Sequence, residues 1–146
     1  MAWPKPLVVT AGEPAGIGPE LCSALADTPF ASRIVVVGDA RLLDRRLQVI
    51  DTPFPAPVIH GQPHPLNAQT LLAGLRLATT GCLEGRYAGL VTAPLAKSVI
   101  ADSGVPFTGH TEFLAELTGV DLPVMLLVAG DLRVALASTQ IGRAHV

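Results

Sequence analysis

Three uninterrupted apolar runs constrain the fold of this chain more than any other feature. They are PLVVTAG (6–12), RIVVVGD (33–39) and YAGLVTAP (87–94). A strand with one face in water alternates apolar and polar side chains; these runs do not, so each is predicted to be a strand buried on both faces. Segments with helical spacing separate them. This alternation predicts an α/β protein, a three-layer α/β/α sandwich with a mostly parallel sheet and at least one right-handed crossover.

The segments between the strands predict four helices. The first is PELCSALADT, with Pro19 at its first position, and the second is the short segment ARLLDRRLQ. The third is AQTLLAGLRLATTGCLEG, for which Asn67 is the predicted cap. The fourth is PLAKSVIADSG, which ends at a glycine. Residues 51–66 contain five prolines and predict a loop with only a brief strand around Val58, within one continuing domain. Near the end, PVMLLVAGDLRVALAST predicts two strands that turn at Gly130-Asp131.

Composition excludes several classes of protein. With 146 residues the chain suits one domain or a piece of a larger one, and 49% hydrophobic against 15% charged residues argues against disorder. The net charge of −2 and the scattered basic residues argue against nucleic acid as a partner. No run approaches the roughly 20 apolar residues that cross a bilayer, and no signal peptide is recognisable. Cys22 and Cys82 lie far apart, which predicts reduced thiols and a soluble, cytoplasmic protein.

A glycine-rich turn follows the first predicted strand. TAGEPAGIGPE places three glycines and Glu13 where a parallel sheet binds ligands, outside the carboxyl ends of its strands. The spacing is neither the dinucleotide fingerprint nor the P-loop, so a ligand loop and a tight structural turn both remain open. A glutamate is also common near the start of a helix for a purely structural reason, because its negative charge interacts favourably with the helix dipole. The candidate residues of this loop are Gly12, Glu13, Gly16 and Gly18.

The stretch FTGHTEFLAELTG (107–119) carries the second candidate site. His110 and Thr111 lie where a loop leads into a predicted helix beginning at Glu112. In the alternative interpretation Thr111 only caps that helix and His110 is packed structurally. Lys97, after the third strand, is a candidate contact for a phosphate or carboxylate; its alternative is a solvated helix lysine. His60 and His64, in the proline-rich loop, receive no role.

Three segments together resemble the 4-hydroxythreonine-4-phosphate dehydrogenase family, which acts in pyridoxal phosphate biosynthesis. They are VTAGEPAGIGPE, LVTAPLAKSVIADSGVPFTGHTEFLAELTG and LRVALAST, so the similarity runs from Val9 to about Thr139. The resemblance implies a cytoplasmic homodimer of two-lobed subunits that uses NAD or NADP and a divalent metal. It also implies a phosphate-ester substrate, oxidation of 4-phosphooxy-L-threonine to a 3-keto acid, and loss of carbon dioxide to give 3-amino-2-oxopropyl phosphate. By the same resemblance, His110 and Thr111 bind the substrate.

The chain departs from the family pattern after LRVALAST. Gln140 stands where the resemblance leads us to expect a metal-ligating histidine, and an amide is a poor substitute for imidazole. The following IGRAHV matches one reading frame of a common sequencing adapter, so residues 1–139 are interpreted as the N-terminal portion of the dehydrogenase and 140–146 as a non-native tail. The 146-residue chain is therefore predicted to be inactive. Two alternatives stay open: a dehydrogenase of a related threonate- or erythronate-type phosphate, and a noncatalytic phosphate-ester-binding remnant.

Overall fold

The computed structural model describes residues 5–105 and 107–136, which form two compact units. The first unit ends at Phe107 and the second begins at Thr108. The proline-rich stretch at 51–66 lies inside the first unit, and the division falls within the PFTGHTEF segment, between Phe107 and Thr108.

The first unit is built on a four-stranded, wholly parallel sheet. Its strands are β1 (Leu7–Thr10), β2 (Ile34–Gly38), β3 (Gln48–Asp51) and β4 (Gly89–Thr92). They lie in the order β3-β2-β1-β4, with Val9 opposite Val36 on one side and Val91 on the other. The three predicted strands therefore form the centre and one edge of the sheet, and the expectation of an α/β fold with a parallel sheet is confirmed.

Helices cover both faces of this sheet because successive side chains of a strand point to opposite sides. Val9 and Val36 pack with Cys22 of helix α1 (Gly18–Ala24) on one face. Val8 and Val37 pack with Ala78 of helix α2 (Ala68–Leu83) on the other. Helix α3 (Lys97–Asp102) follows β4. The result is the predicted α/β/α arrangement, with a core on each side of the sheet.

The predicted helix over ARLLDRRLQ is wrong. Only a single 3₁₀ turn forms, Ala40–Leu42, and β3 begins at Gln48. The four-residue spacing of Leu43 and Leu47 indicates a helical face, but both side chains reach the α1-side core from an irregular segment. Asp44 stabilises that segment: its backbone N–H donates to the Ser23 hydroxyl at 3.1 Å, and its carboxylate accepts from the Arg46 N–H at 2.8 Å.

The predicted cap of α2 is also wrong. Asn67 has helical backbone angles and makes no capping bond; its side-chain oxygen instead accepts from the Ala56 N–H at 3.0 Å, which ties the proline-rich loop down. The chain enters α2 through a 3₁₀ turn, Pro65–Asn67, whose N-cap is His64. The Nδ1 atom of His64 accepts from the Leu66 N–H at 3.2 Å. In place of the predicted strand around Val58, a single bridge joins Ile59 and Gln62.

The second unit consists of helix α4 (His110–Thr118) and a hairpin of β5 (Leu126–Ala129) and β6 (Leu132–Ala135). The hairpin turns at Gly130-Asp131, as predicted, with Gly130 at φ 58°. Thr111 does not cap α4, because it lies inside the helix. The helix begins at His110, two residues before the predicted start at Glu112, and its N-cap residue, Gly109, makes no side-chain capping bond. Gly119, at φ 68°, ends the helix.

Two further expectations concern the cysteines and the membrane. Cys22 and Cys82 are free thiols, in agreement with the sequence. Burial raises the pKa of the Cys22 thiol to about 11, so this thiol is unreactive at neutral pH. No helix within residues 5–105 and 107–136 has the length and apolar character needed to span a membrane.

Candidate functional site

The strand order places a topological switch point between β1 and β4. From β1 the chain moves outward through β2 to β3, and β4 then returns to pair with the other side of β1. In open parallel sheets, ligands bind in the crevice outside the carboxyl ends of the strands at such a point. Here the loop 11–17 after β1 and the loop 93–96 after β4 form its two walls, and they contain or lead to all the predicted site residues of the first unit.

Backbone hydrogen bonds hold these two loops together. The Ala93 N–H donates to the Thr10 carbonyl at 3.0 Å, and the Glu13 N–H donates to the Pro94 carbonyl at 2.9 Å. On the other side, the Gly61 N–H donates to the Ala15 carbonyl at 2.8 Å. Residues 11–15 are buried, and only the tip of the loop, Gly16 and Ile17, is exposed.

The three loop glycines are not equivalent. Gly12 has φ 70°, and a Cβ there would overlap the Pro94 carbonyl oxygen. A Cβ on Gly18 would overlap the Ala11 carbonyl oxygen. A Cβ on Gly16 would make only ordinary contacts, the nearest 3.4 Å from the Glu13 carbonyl oxygen. Close packing therefore accounts for Gly12 and Gly18, which supports the structural-turn interpretation for these two, whereas Gly16 has no packing constraint.

Glu13 is a buried acid at the carboxyl edge of the sheet. Its residue is 6% exposed, and its Oε1 accepts from the Ala15 N–H at 3.1 Å. Its Oε2 is buried and has no hydrogen-bond partner in the described part of the chain. Burial raises the pKa of the Glu13 carboxyl, and the bond from Ala15 opposes that shift in part.

A small crevice with a mainly apolar lining opens beside Gly12 at the ends of β1 and β2. Its volume, about 20 Å³, leaves room for about one water molecule. Its polar lining is neutral, so the crevice can hold hydroxyl-type groups but offers no counter-charge to a phosphate. Sequence reasoning missed it because its threonines come from three separate elements: the polar residues are Thr10, Thr52 and Thr70, beside Gly12 and Gly38.

Asp39 is a second buried acid at this edge of the sheet, and sequence reasoning did not single it out. It directly follows β2, the position from which an acid reads the ribose in dinucleotide-binding folds. Here its side chain is fully engaged: one carboxylate oxygen accepts from the Arg41 Nε at 2.9 Å, and the other from the Phe54 N–H at 3.1 Å. The Arg41 guanidinium lowers the pKa of Asp39 to about 2. Asp39 therefore braces the proline-rich loop and is not free to bind a ribose.

Lys97 occupies the first position of α3 and is exposed. A cation at a helix N-terminus is disfavoured by the helix dipole. Its position just beyond the carboxyl end of β4 is suited to an anion at the switch point. The anion contact of Lys97 therefore stays a prediction, beside the alternative of a solvated helix lysine.

His110 and Thr111 form the first turn of α4 in the second unit, and both are half-buried. The first hydrogen bond of the helix runs from the Phe113 N–H to the Gly109 carbonyl at 3.1 Å. Thr111 also lines a groove between α4 and the segment that leads to β5, together with Leu114 and Thr118. Because Thr111 has no capping role, the capping alternative to a binding site is removed for this residue.

The described residues do not supply a metal site. Across residues 5–105 and 107–136, no three His, Cys, Asp or Glu side chains are arranged to hold a metal ion. Gln140 and the rest of 140–146, where the sequence leads us to expect a missing ligand and a non-native tail, lie outside the described residues. A divalent metal would therefore need ligands from outside the described residues.

A parallel α/β sheet with a topological switch point is the architecture of many enzymes that bind small ligands. Comparison with known proteins makes this specific. The model of the family described as "Pyridoxal phosphate biosynthetic protein PdxA" matches residues 20–146. This chain belongs to that family.

Individual relatives agree. The chain is 44% identical to 4-hydroxythreonine-4-phosphate dehydrogenase of Thioalkalivibrio sulfidiphilus, over 92% of this chain and 49% of that protein. A solved 4-hydroxythreonine-4-phosphate dehydrogenase from Burkholderia phymatum superposes with a TM-score of 0.83 at 29% identity, covering 97% of this chain and 52% of that one. The enzyme from Klebsiella pneumoniae gives a TM-score of 0.81 at 32% identity, over 90% and 50%. The chain thus spans about half the length of the relatives it matches.

Proposed function

We propose that the complete protein containing this chain oxidises 4-phosphooxy-L-threonine with NAD or NADP, in pyridoxal phosphate biosynthesis. Membership of the PdxA family, together with 44% identity to a curated 4-hydroxythreonine-4-phosphate dehydrogenase, carries the proposal.

The proposed reaction removes two hydrogens from C3 of the substrate. The hydroxyl proton leaves to solvent or to a base, and the C3 hydrogen leaves as hydride, so the alcohol becomes a ketone. A bound nicotinamide would accept the hydride, and a divalent metal would polarise the hydroxyl. The 3-keto acid then loses its carboxylate as carbon dioxide, the electrons of the broken C–C bond form an enolate with the ketone, and C2 takes up a proton from solvent. The product is 3-amino-2-oxopropyl phosphate.

Within this chain, three side chains are assigned to the substrate. His110 and Thr111 bind it from the first turn of α4, where neither is needed as a side-chain cap. Lys97 provides positive charge for the phosphate or carboxylate at the carboxyl end of β4. No step is assigned to a metal ligand, because the described residues offer no ligand set.

The proposal extends to assembly, location and the activity of the chain as given. The complete protein is proposed to be a cytoplasmic homodimer. The 146-residue chain spans about half the length of its relatives, and we propose that it has no dehydrogenase activity by itself.

The test uses the protein made from the complete gene. Formation of reduced nicotinamide is followed by absorbance with a divalent metal present, and 4-phosphooxy-L-threonine is compared with the 4-phosphates of threonate and erythronate. The proposal requires the highest kcat/KM with 4-phosphooxy-L-threonine. A higher kcat/KM with a sugar-acid phosphate would move the protein to the related dehydrogenase class, and no turnover of any of the three would refute the proposed activity.

A further inference from the structure

Glu13 carries a feature that the packing of its loop does not explain. One carboxyl oxygen, Oε1, is used by the Ala15 N–H at 3.1 Å. The other, Oε2, is buried without a hydrogen-bond partner among the described residues. Buried polar atoms are nearly always hydrogen-bonded in native proteins, and each exception calls for a specific cause.

The loop itself does not need a carboxyl group at this position. A glutamine would offer the same carbonyl oxygen to Ala15 and occupy the same space. The loop is also anchored by backbone bonds that involve no side chain, from Glu13 N–H to Pro94 and from Gly61 N–H to Ala15. What the carboxyl adds beyond an amide is a second acceptor oxygen, and that oxygen is the one left without a partner in the described part of the chain.

The other acids at this edge of the sheet are already occupied. Asp39 binds Arg41 and the Phe54 N–H. Asp51, at the end of β3, accepts from the Ala40 N–H at 2.9 Å. Among these three acids at the carboxyl ends of β1, β2 and β3, Glu13 is the one whose second oxygen is buried and unused.

The exposed tip of the loop lies close to the Glu13 side chain. Gly16 packs over it: a Cβ on Gly16 would lie 3.6 Å from both Cβ and Cγ of Glu13. Gly16 and Ile17 are exposed, and Ile17 is 60% exposed. Gly16 is held to Glu13 by one backbone bond, from its N–H to the Glu13 carbonyl at 3.1 Å. The Glu13 side chain therefore lies next to the exposed tip of the loop.

We propose that Glu13 is a substrate-recognition residue whose Oε2 accepts a hydrogen bond from a donor group, a hydroxyl or an ammonium, of the ligand bound at the switch point. This inference rests on the proposed function, whose substrate carries both kinds of donor. The carboxylate of Glu13, after β1, and the ammonium of Lys97, after β4, would then offer the ligand an acceptor for its donor groups and a positive charge for its anionic group.

The experiment measures ligand binding to the complete protein by calorimetry, so that turnover is not required. The probes are 4-phosphooxy-L-threonine, the same molecule without its amino group, and the same molecule without its C3 hydroxyl. The decisive variant is Glu13→Gln, because the amide oxygen still accepts from Ala15 while a donor NH₂ replaces the acceptor Oε2. Glu20→Gln is the matched control, since Glu20 is exposed on the adjacent helix α1.

If the proposal holds, Glu13→Gln weakens binding of 4-phosphooxy-L-threonine about ten- to hundredfold, the range for a lost hydrogen bond to a charged group. Glu20→Gln leaves binding unchanged. One of the two analogues should bind the wild type about as weakly as 4-phosphooxy-L-threonine binds Glu13→Gln. The same analogue should bind Glu13→Gln with little further loss of affinity. If it is the analogue without the amino group, the donor is the ammonium; if it is the analogue without the C3 hydroxyl, the donor is that hydroxyl.

Two results would overturn the inference and leave the proposed function standing. The first is that Glu13→Gln binds 4-phosphooxy-L-threonine as tightly as the wild type does. The second is that removal of each donor group from the ligand weakens binding equally in the wild type and in Glu13→Gln, while the melting temperature of Glu13→Gln is lowered. That second result would show that Glu13 only packs. If the wild type itself binds none of the three probes, both the proposed function and the role of Glu13 fail together. Melting curves of all variants establish that each is folded.

Discussion

Substitution of Gly12 by alanine tests whether the glycine loop is built by packing. Two effects add at this position. An L-residue at φ 70° is strained by about 1–2 kcal/mol. The new methyl group also overlaps the Pro94 carbonyl oxygen, and relieving such overpacking costs about 1–3 kcal/mol. Gly12→Ala is therefore expected to lower the free energy of unfolding by about 2–5 kcal/mol, a large part of the roughly 5–15 kcal/mol typical of a domain.

Two other glycines separate these effects. Gly61 has φ 74°, but a Cβ added there would meet no described atom within 4 Å, so Gly61→Ala keeps the strain without the overlap and should cost about 1–2 kcal/mol. Gly16 has neither problem, so Gly16→Ala should lie within about 1 kcal/mol of the wild type, on the stabilising side, because alanine restricts the unfolded chain.

The assay is urea unfolding followed by circular dichroism, in which the Gly12→Ala midpoint should fall by on the order of 1–2 M. The order of stability should be Gly16→Ala, then Gly61→Ala, then Gly12→Ala. If Gly12→Ala is no less stable than Gly61→Ala, the contact with Pro94 does not constrain the loop, and the packing explanation of Gly12 is refuted.

Three further predictions address other parts of the chain. The pKa of Asp39, about 2, lies below its usual 3.8, so its ionised form stabilises the fold above about pH 4 and this contribution is lost as pH falls toward 2. Urea midpoints of Asp39→Asn should therefore fall less steeply over that range than those of the wild type; parallel curves would contradict this. Leu75→Ala, at a side chain 1% exposed in α2, should cost about 2–5 kcal/mol in urea unfolding, and a loss under 1 kcal/mol would show a core that collapses around the cavity. In the complete protein, His110→Ala should raise KM for the phosphate ester with an unchanged melting temperature; unchanged kinetics with a lowered melting temperature would make His110 structural.

The parts of the fold that the sequence predicts are those with strong local patterns. The continuous apolar runs of β1, β2 and β4 carry their own signal, because burial on both faces requires it. The 16-residue helix α2 and the hairpin at Gly130-Asp131 are similarly explicit. These elements fix the sheet and both of its cores.

The missed elements depend on contacts that are distant in sequence. Strand β3 has only two apolar residues, Val49 and Ile50, and forms because it pairs with the edge of β2. Leu43 and Leu47 resemble a helical face, but the core beside α1 takes both from an irregular segment. The oxygen of Asn67 is used by Ala56, eleven residues away, so a local capping rule could not assign it.

The candidate site shows the same limit in a form that bears on function. A run of glycines after a first strand commonly indicates a phosphate-binding loop, yet Gly12 and Gly18 are required here by the Pro94 and Ala11 carbonyl groups. An acid after the second strand commonly indicates ribose recognition, yet Asp39 is held by Arg41 and the proline-rich loop. The contacts of Asp39 leave no acceptor for a ribose, and those of the loop explain Gly12 and Gly18 but not Gly16. The chemistry proposed for the switch point therefore rests on individual side chains that no described contact occupies, the Oε2 of Glu13 and the exposed ammonium of Lys97.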